Sequence, residues 1–426
     1  MYACCINQAA NPGHLMPIEL KPVAEALTEI CAALQPVDTQ NVSFKEAANR
    51  ILAEHIAADY DHPPAAVSAM DGYAVQTGGT PLVAGSQFTV VGEAAAGHLF
   101  TKSITGKQTV RIFTGGHVPE GADAVILQED VSLHENVVTL NEAAKPGQFI
   151  RPAGLDFQAG QIVLKSGTAL GARQMALAAL CGHAETLIVR RKPLVAILSS
   201  GDELVPPGTP PAPGQLVNSN SIFLAHAVQL AGGEAVNLGI VPDQPGALTQ
   251  CLNTGQNIQK QPFDLILTTG GASVGRHDHI VSDLTEADPS ALSFWKIAMR
   301  PGKPLIFGQW NRIPLLGLPG NPVSAGVCMT VFGLPALRTL LGQKADADIR
   351  PFHLSAPVPE NDRRQDYLRG VFEGTGDART IRPLGRQDSS MLKAFSDAQG
   401  LIIRPPNAPA LEAGDMVSVL VLPDGL

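Results

Sequence analysis

Four short stretches put chemically capable residues beside glycine or proline. Asp264-Leu-Ile-Leu-Thr268 has an apolar centre and runs into Gly270-Gly271 and then Ser273. Such a run reads as a strand buried on both faces. A glycine pair there lets the backbone come close to a ligand and aim N–H groups at phosphate oxygens. A helix behind it would add positive potential for an anion. Similar loops follow three other apolar runs: Ser199-Ser200-Gly201-Asp202-Glu203, Val241-Pro242-Asp243 and Pro319-Gly320-Asn321-Pro322. Each is equally, by itself, a tight turn that binds nothing, because short glycine motifs recur by chance.

Charge gathers around these loops. Asp202, Glu203, Asp243 and Asp278 stand at or beside them, and Lys296, Arg300 and Lys303 follow in Phe-Trp-Lys-Ile-Ala-Met-Arg-Pro-Gly-Lys-Pro. Pro301-Gly302 excludes a continuous helix there, leaving a strand and a turn. A cationic loop beside Gly270-Gly271 makes an anion site. Carboxylates in the same place suggest Mg2+ bridging phosphate oxygens. Each residue keeps an ordinary reading as well. Asp202 is equally a helix cap, Glu203 and Asp243 solvated loop carboxylates, Lys296 and Arg300 surface charge, and Asp71 before Gly72 a turn residue. His117 and the His277-Asp278-His279 run look metal-like, but His-Asp-His in a loop is more often no site.

The elements that must hold these loops read as follows. Residues 18–35 contain a helix starting near Pro22, with Val23, Leu27, Ile30 and Leu34 on one stripe. A second helix is expected over 43–52, opened by a Ser43/Glu46 capping box. Asp61-His62-Pro63-Pro64 forces extended chain. Short strands are expected at 88–91, 109–113, 124–127 and 136–140. A helix near 172–180 ends at Gly182. After Lys192-Pro193 the pattern becomes alternating: strands at 194–198, 235–240, 264–268 and 313–318, with helices from about Ser221 and from Pro322 toward Leu341. Strand, helix, strand, helix means a doubly wound parallel sheet, and such sheets bind ligands at the C-terminal ends of their strands. The expected fold is therefore multidomain, α/β plus β. Its parts are an N-terminal helical/linker domain (17–60 and 151–192), an inserted small β domain (61–150), the α/β domain (193–341) and a C-terminal small β-barrel (345–426).

Composition bounds the rest. The chain has 426 residues and net charge -9, with 45% hydrophobic and 16% charged residues, 42 Gly and 34 Pro. That length suits two to four domains with sizeable cores, and the acidity argues against nucleic-acid binding. The six cysteines are dispersed and form no CxxC, as expected of a reducing cytoplasm. The first basic residue is Lys21, so no charged leader is expected. No uncharged apolar run reaching the ~18–20 residues of a membrane helix is expected.

The motifs also occur in one order: Ser68-Ala-Met-Asp-Gly-Tyr-Ala-Val75, Thr114-Gly with Val118-Pro-Glu-Gly-Ala-Asp-Ala-Val125, Ser200-Gly-Asp-Glu-Leu204, Thr269-Gly-Gly with Ser273-Val-Gly275, Phe294-Trp-Lys with Arg300-Pro-Gly-Lys-Pro304, and Leu318-Pro-Gly-Asn-Pro-Val-Ser324. In this the chain resembles, over about residues 18–425, the MoeA family of molybdopterin molybdenumtransferases, which includes the E domain of gephyrin. The resemblance implies insertion of molybdate into adenylylated molybdopterin, release of AMP, and Mg2+ as cofactor. It implies that 193–341 is the pterin-binding domain. It implies a cytoplasmic homodimer in which Asp71, Thr114 and Asp156 face the partner subunit's pterin domain across a shared cleft. A molybdopterin adenylyltransferase and apo-molybdoenzymes are implied as partners, with no nucleic acid or membrane.

By motif, the catalytic positions implied are Asp71, Asp156, Glu203, Asp243, Asp278 and Lys296, with Asp243 and Asp278 on the metal. Substrate contacts are implied for Thr114, Arg151, Ser200, Gly201, Asp202, Gly270, Gly271, Ser273, Arg300, Lys303, Pro319, Gly320, Asn321, Ser324 and Ser389. The chain departs from the family's pattern in four places. Arg300 stands where lysine is frequent, Leu155 where glutamate is frequent before Asp156, Asp388 where Gln387-Asp388-Ser389 replaces a Gln-Gly-Ser-like stretch, and Arg276-His277 where acidic residues are frequent. Adenylyl transfer to the pterin is an alternative enzyme reading, but it leaves Asp71 and Asp156 idle. A cofactor carrier or scaffold is another, weakened by the lack of an added partner-binding segment. Tungstate preference and dedication to one molybdoenzyme stay open.

Overall fold

The computed structural model describes residues 20–271 and 279–426. These form two compact units, residues 20–40 with 190–426, and residues 41–189.

The larger unit is built on a six-stranded sheet. Its order is Glu234–Val241, Leu194–Ser200, Leu265–Thr269, Ile313–Leu318, Ile306–Trp310 and Leu292–Trp295. The central strand Leu265–Thr269 is buried along its whole length, as its unbroken apolar run requires. The first four strands are parallel. These are the four expected from the sequence; the last two, which the sequence reading does not place in the sheet, run antiparallel to their neighbours. The cause is local. Asn311 and Arg312 both take positive φ, 47° and 67°, and a two-residue turn of that kind closes an antiparallel hairpin.

Helices cover both faces. Val23–Ala32, Ser219–Leu230 and the run starting at Pro322 share one core with Val195, Ile197, Leu265 and Leu267. Leu248, Leu252, Ile280 and Leu284 pack the other face against Ala196, Leu198 and Ile266. Leu248 and Leu252 belong to the helix Ala247–Gln259, which the sequence reading does not contain. Its only buried residues are Leu248, Leu252 and Gly255, too sparse a stripe among Gln and Asn to read as helix. A Cβ at Gly255 would meet Leu238 Cδ2 at 2.6 Å, so this helix lies unusually close to the sheet.

Pro322 starts a helical run to Leu340 that passes through a π segment, Met329–Gly333. The π segment precedes Pro335, whose ring has no N–H to give the preceding turn. Among the described residues this run, Pro322–Leu340, is by length and composition long and apolar enough to span a bilayer, although it carries Arg338; its apolar stretch is 89% buried within the protein. It is the central core helix of the unit.

The C-terminal sheet closes on itself. Gln365–Glu373, Thr380–Pro383, Ile349–Leu354, Met416–Val421 and Gly400–Arg404 pair in that order, and Gly400–Arg404 pairs back onto Gln365–Glu373. The expected small barrel is thus present, and closure leaves no free edge among these five strands. Met299–Arg300 adds a parallel partner to Gln365 and Asp366.

The second unit carries a six-stranded sheet: Ala124–Leu127, Gly72–Val75, Gln108–Ile112, Gln87–Ala94, Val137–Leu140 and Val131–His134. All four expected strands lie in it. The helix expected near 172–180 is Ala172–Leu180, followed by Gly182 at φ 106°. The helix expected over 43–52 is instead one 3-10 turn, Phe44–Ala47. Its capping box forms, with the Ser43 hydroxyl donating to Glu46 at 2.7 Å. Asn49 then turns left-handed at φ 62°, and Ile51 and Leu52 bridge to Ala169 and Val189. Capping chemistry started a helix that tertiary pairing stopped.

Candidate functional site

Three of the four loops, those after Leu194–Ser200, Leu265–Thr269 and Ile313–Leu318, contribute residues to one cleft of about 660 Å³, and Asp243 from the fourth joins them. The first loop supplies Ser200, Gly201 and Glu203; the third, Gly270 and Gly271; the last, Pro319, Gly320 and Asn321, with Ser324 from the helix behind it. These expected site residues therefore share one surface, at the C-terminal ends of the parallel strands.

Glycine is required where the loops meet. Gly270 has φ 83°, and a Cβ there would lie 2.1 Å from the Ser200 carbonyl oxygen. Gly271 has φ 61°, and its Cβ would meet Ile280 Cδ1 at 2.8 Å. A Cβ at Gly320 would come no nearer than 3.6 Å to Gly270 Cα, an ordinary contact. So Gly270 and Gly271 are needed by the packing itself, whereas Gly320 is left small facing the cleft.

Asp243 is held from two sides. The Ser200 hydroxyl donates to its Oδ1, and its own N–H donates to Asp202 Oδ1 at 3.2 Å. Asp202 therefore braces a neighbouring loop. The helix cap is Asn218, whose Oδ1 accepts from the Ser221 N–H at 3.3 Å. Asn220 Nδ2 donates to the Gly320 carbonyl at 2.8 Å. Asn321 Nδ2 donates to Ser389 Oγ at 3.0 Å, and the Val323 N–H to the Ser389 carbonyl at 3.1 Å. Ser389 thus reaches the cleft's edge from a remote part of the chain. Asn218, Asn220 and Ser390 also line the cleft and were missed. The first two stand just before the helix expected from about Ser221, where asparagine reads as a cap and not as a cleft residue.

The basic cluster is arranged differently from the expectation of one cationic loop beside Gly270-Gly271. Arg300 donates from Nε to Asp366 Oδ1 at 2.7 Å, again to Asp366 Oδ2, and to Asp362 at 3.2 Å. The hydrogen bond to Asp366 raises its pKa, against a desolvation that lowers it. Its charge is committed to barrel carboxylates. Lys296 is 8% exposed and holds φ 86°. Lys303 is exposed and lines a separate depression of about 410 Å³ with Asp362, Arg363 and Arg364. None of the three lines the main cleft. Asp388, the departure beside Ser389, accepts from the Ser390 hydroxyl and N–H at 2.5 and 2.8 Å, which keep its carboxyl below the usual range. Ser273, Arg276, His277 and Asp278 lie outside the described residues, as does the side chain of His279.

In the other unit, Asp71 accepts from the Thr114 N–H at 2.7 Å and its hydroxyl at 2.8 Å. These bonds, the backbone one first, hold its pKa down. Arg111 is stacked on Tyr73 and Phe113, 4.9 and 5.1 Å from the ring centroids. Val67–Ser68 pairs with Ile150–Arg151 on one side and Val67 bridges to His117 on the other. The segment 67–71 thereby gathers Asp71, Thr114 and Arg151. Asp156 is exposed, and its N–H donates to the His62 carbonyl at 2.9 Å. Leu155 beside it is also exposed. Among the described residues no group of three or more His, Cys, Asp or Glu is placed to hold a metal.

The chain matches three family models: MoeA N-terminal region (domain I and II) over residues 21–182, Probable molybdopterin binding domain over 196–339, and MoeA C-terminal region (domain IV) over 352–422. It is 35% identical over 390 residues to a molybdopterin molybdenumtransferase of Haemophilus influenzae, covering 90% of this chain and 94% of that one. It is 31% identical over 410 residues to the molybdopterin molybdenumtransferase of Bacillus subtilis, covering 94% of each. Its fold resembles the crystal structure of a molybdopterin biosynthesis MoeA protein from Pyrococcus horikoshii. That match has a TM-score of 0.81 and 26% identity, over 95% of this chain and all of that one.

Proposed function

The chain belongs to the MoeA family, and from that premise we propose that it is a molybdopterin molybdenumtransferase, inserting molybdate into adenylylated molybdopterin with release of AMP. This is the last step in forming the molybdenum cofactor. The observation that carries the reading is the single cleft that unites Gly270-Gly271 with Glu203 and Asp243.

The chemistry to be solved is electrostatic, because an oxyanion must approach a substrate that is already anionic. Gly270 and Gly271 line the cleft, where backbone N–H groups of such a loop can meet phosphate oxygens. The donors facing the cleft from Glu203, Asp243 and Ser200 are all oxygen, a set that fits Mg2+. Asp243 and Glu203 would hold it, with Asp278 added by the family resemblance. The ion would lend positive charge to the pyrophosphate oxygens. Ser200 and Asp202 keep the Asp243 carboxylate aimed. Lys303, with Arg363 and Arg364 in the separate depression, draws molybdate toward the pterin, and Lys296 contributes charge from its buried position. Attack by a water oxygen at phosphorus breaks the P–O bond of the pyrophosphate and frees AMP, the pterin keeping its own phosphate. The dithiolene thiols, soft ligands, then bond to molybdenum, and the oxo oxygen they displace leaves with their protons as water.

We further read the working form as a homodimer in which Asp71, Thr114, Arg151 and Asp156 serve the partner subunit's cleft. That role suits a half-buried Asp71 whose carboxyl the Thr114 hydrogen bonds hold below the usual range. Cytoplasmic residence is supported by Cys31, Cys181, Cys251 and Cys328, all free thiols. The direct test is reconstitution. Protein incubated with adenylylated molybdopterin, Mg2+ and molybdate should activate an apo-molybdoenzyme, and failure with intact substrate would overturn the reading.

A further inference from the structure

Beneath the cleft is a second, much smaller space. It measures about 10 Å³ and is bordered by Ser200, Val241, Pro242, Thr268 and Asp283. Two of the residues bordering it each carry a buried side-chain atom with no hydrogen-bond partner among the described residues, Thr268 Oγ1 and Asp283 Oδ2. Both side chains are deeply buried, Thr268 at 0% and Asp283 at 5% exposure. An orphaned hydroxyl and an orphaned carboxylate oxygen are each costly, and the two residues that carry them border one cavity. That volume suits a single water, which needs two or more polar partners.

We propose that this cavity holds one fixed water, which accepts from Thr268 Oγ1 and donates to Asp283 Oδ2, and that Asp283 is a positioning residue for the Asp243 loop. The other carboxylate oxygen, Asp283 Oδ1, accepts from the Gly246 N–H at 2.8 Å. Gly246 has φ 75° and starts the helix Ala247–Gln259. The loop carrying Asp243 is therefore anchored upstream in a strand and downstream on Asp283. Thr268 lies on the central strand that delivers Gly270. One water thus ties the carboxylate-bearing loop, through Asp283, to the strand that ends in the glycine loop. Ser200 borders both spaces and bonds Asp243 from above.

The role of the link rests on the reading of Asp243 as a working carboxylate; the water itself does not. A crystal structure of the full chain at about 1.5 Å should show one water within hydrogen-bond reach of both oxygens. Featureless density there, or a protein group making both bonds, would overturn the site. Thr268→Val keeps the shape and removes the hydroxyl. It should displace the Asp243 loop in the crystal and raise the Mg2+ requirement for AMP release about fivefold, the scale of one net hydrogen bond. The molybdate KM should stay unchanged, and Thr268→Ser should restore the wild-type value. A valine variant with an unmoved loop and wild-type Mg2+ dependence would refute the positioning role. A wild-type protein that releases no AMP would refute the functional reading, leaving the diffraction result to decide the water.

Discussion

Arg300 donates to both carboxylate oxygens of Asp366, and Asp366 is almost wholly buried. The pair joins the segment after the sheet's edge strand to the start of the barrel strand Gln365–Glu373. A residue that reads from sequence as a free cation for an oxyanion is thus a fastener between two β structures. Planar, two-pronged donation is what arginine offers over lysine, so the departure from the family's frequent lysine has a structural use.

Arg300→Ala should lower stability by about 1–3 kcal/mol, because it strands the Asp366 carboxylate while Arg300 itself is partly solvent-screened. Arg300→Lys should recover part of that. Urea unfolding checks both. Lys296→Ala should chiefly raise the molybdate requirement, and equal effects of the two alanine variants on molybdate dependence would contradict the division of roles.

The loop glycines separate packing from ligand approach. Gly270→Ala forces a Cβ to 2.1 Å from the Ser200 carbonyl at φ 83° and should cost about 2–4 kcal/mol. Gly320→Ala meets ordinary contacts and should change stability by less than about 1 kcal/mol while weakening pterin binding. Thermal melts beside a binding titration distinguish the two.

Asp243→Ala should abolish AMP release with the fold intact, checked by activity and circular dichroism together. Unchanged turnover would remove Asp243 from the chemistry.

The shared cleft has a mixing test. Asp71→Asn and Asp243→Ala should each be inactive alone. Unfolded and refolded together, they should regain part of the activity, because a mixed dimer contains one intact cleft. No recovery from well-formed mixed dimers would mean that each cleft is complete within one subunit.

Acid stability follows from Asp362. Hydrogen bonds from Arg364, side chain first, take its carboxyl from 3.8 down to about 2. A depressed folded pKa stabilises the protein above the unfolded value and loses that contribution as pH falls from about 4 to about 2. Asp362→Asn should flatten the stability profile in that window and leave its slope near neutrality unchanged, as urea midpoints across pH would report.

Much of this was legible in the chain. Buried strands announce themselves by unbroken apolar runs, and their ends by glycine and proline, so Ser200, Asp243, Gly270 and Gly320 could be assigned to one rim before any coordinates. What stayed hidden depended on partners distant in sequence. Asn311-Arg312 lacks the glycine that marks a two-residue hairpin turn, although both residues adopt its φ. Ser43 and Glu46 are the same capping box in a long helix or a single turn, and pairing by Ile51 and Leu52 decided between them. The helix Ala247–Gln259 buries two leucines and little else. Arg300 gives no local sign that Asp366 awaits it.

The central claim is tested most directly by AMP release from adenylylated molybdopterin by the purified protein with Mg2+, with and without micromolar molybdate. The account predicts release that depends on molybdate, is lost in Asp243→Ala, and yields a product that reconstitutes an apo-molybdoenzyme. Tight pterin binding with no AMP release under either condition would contradict it and point to a cofactor carrier.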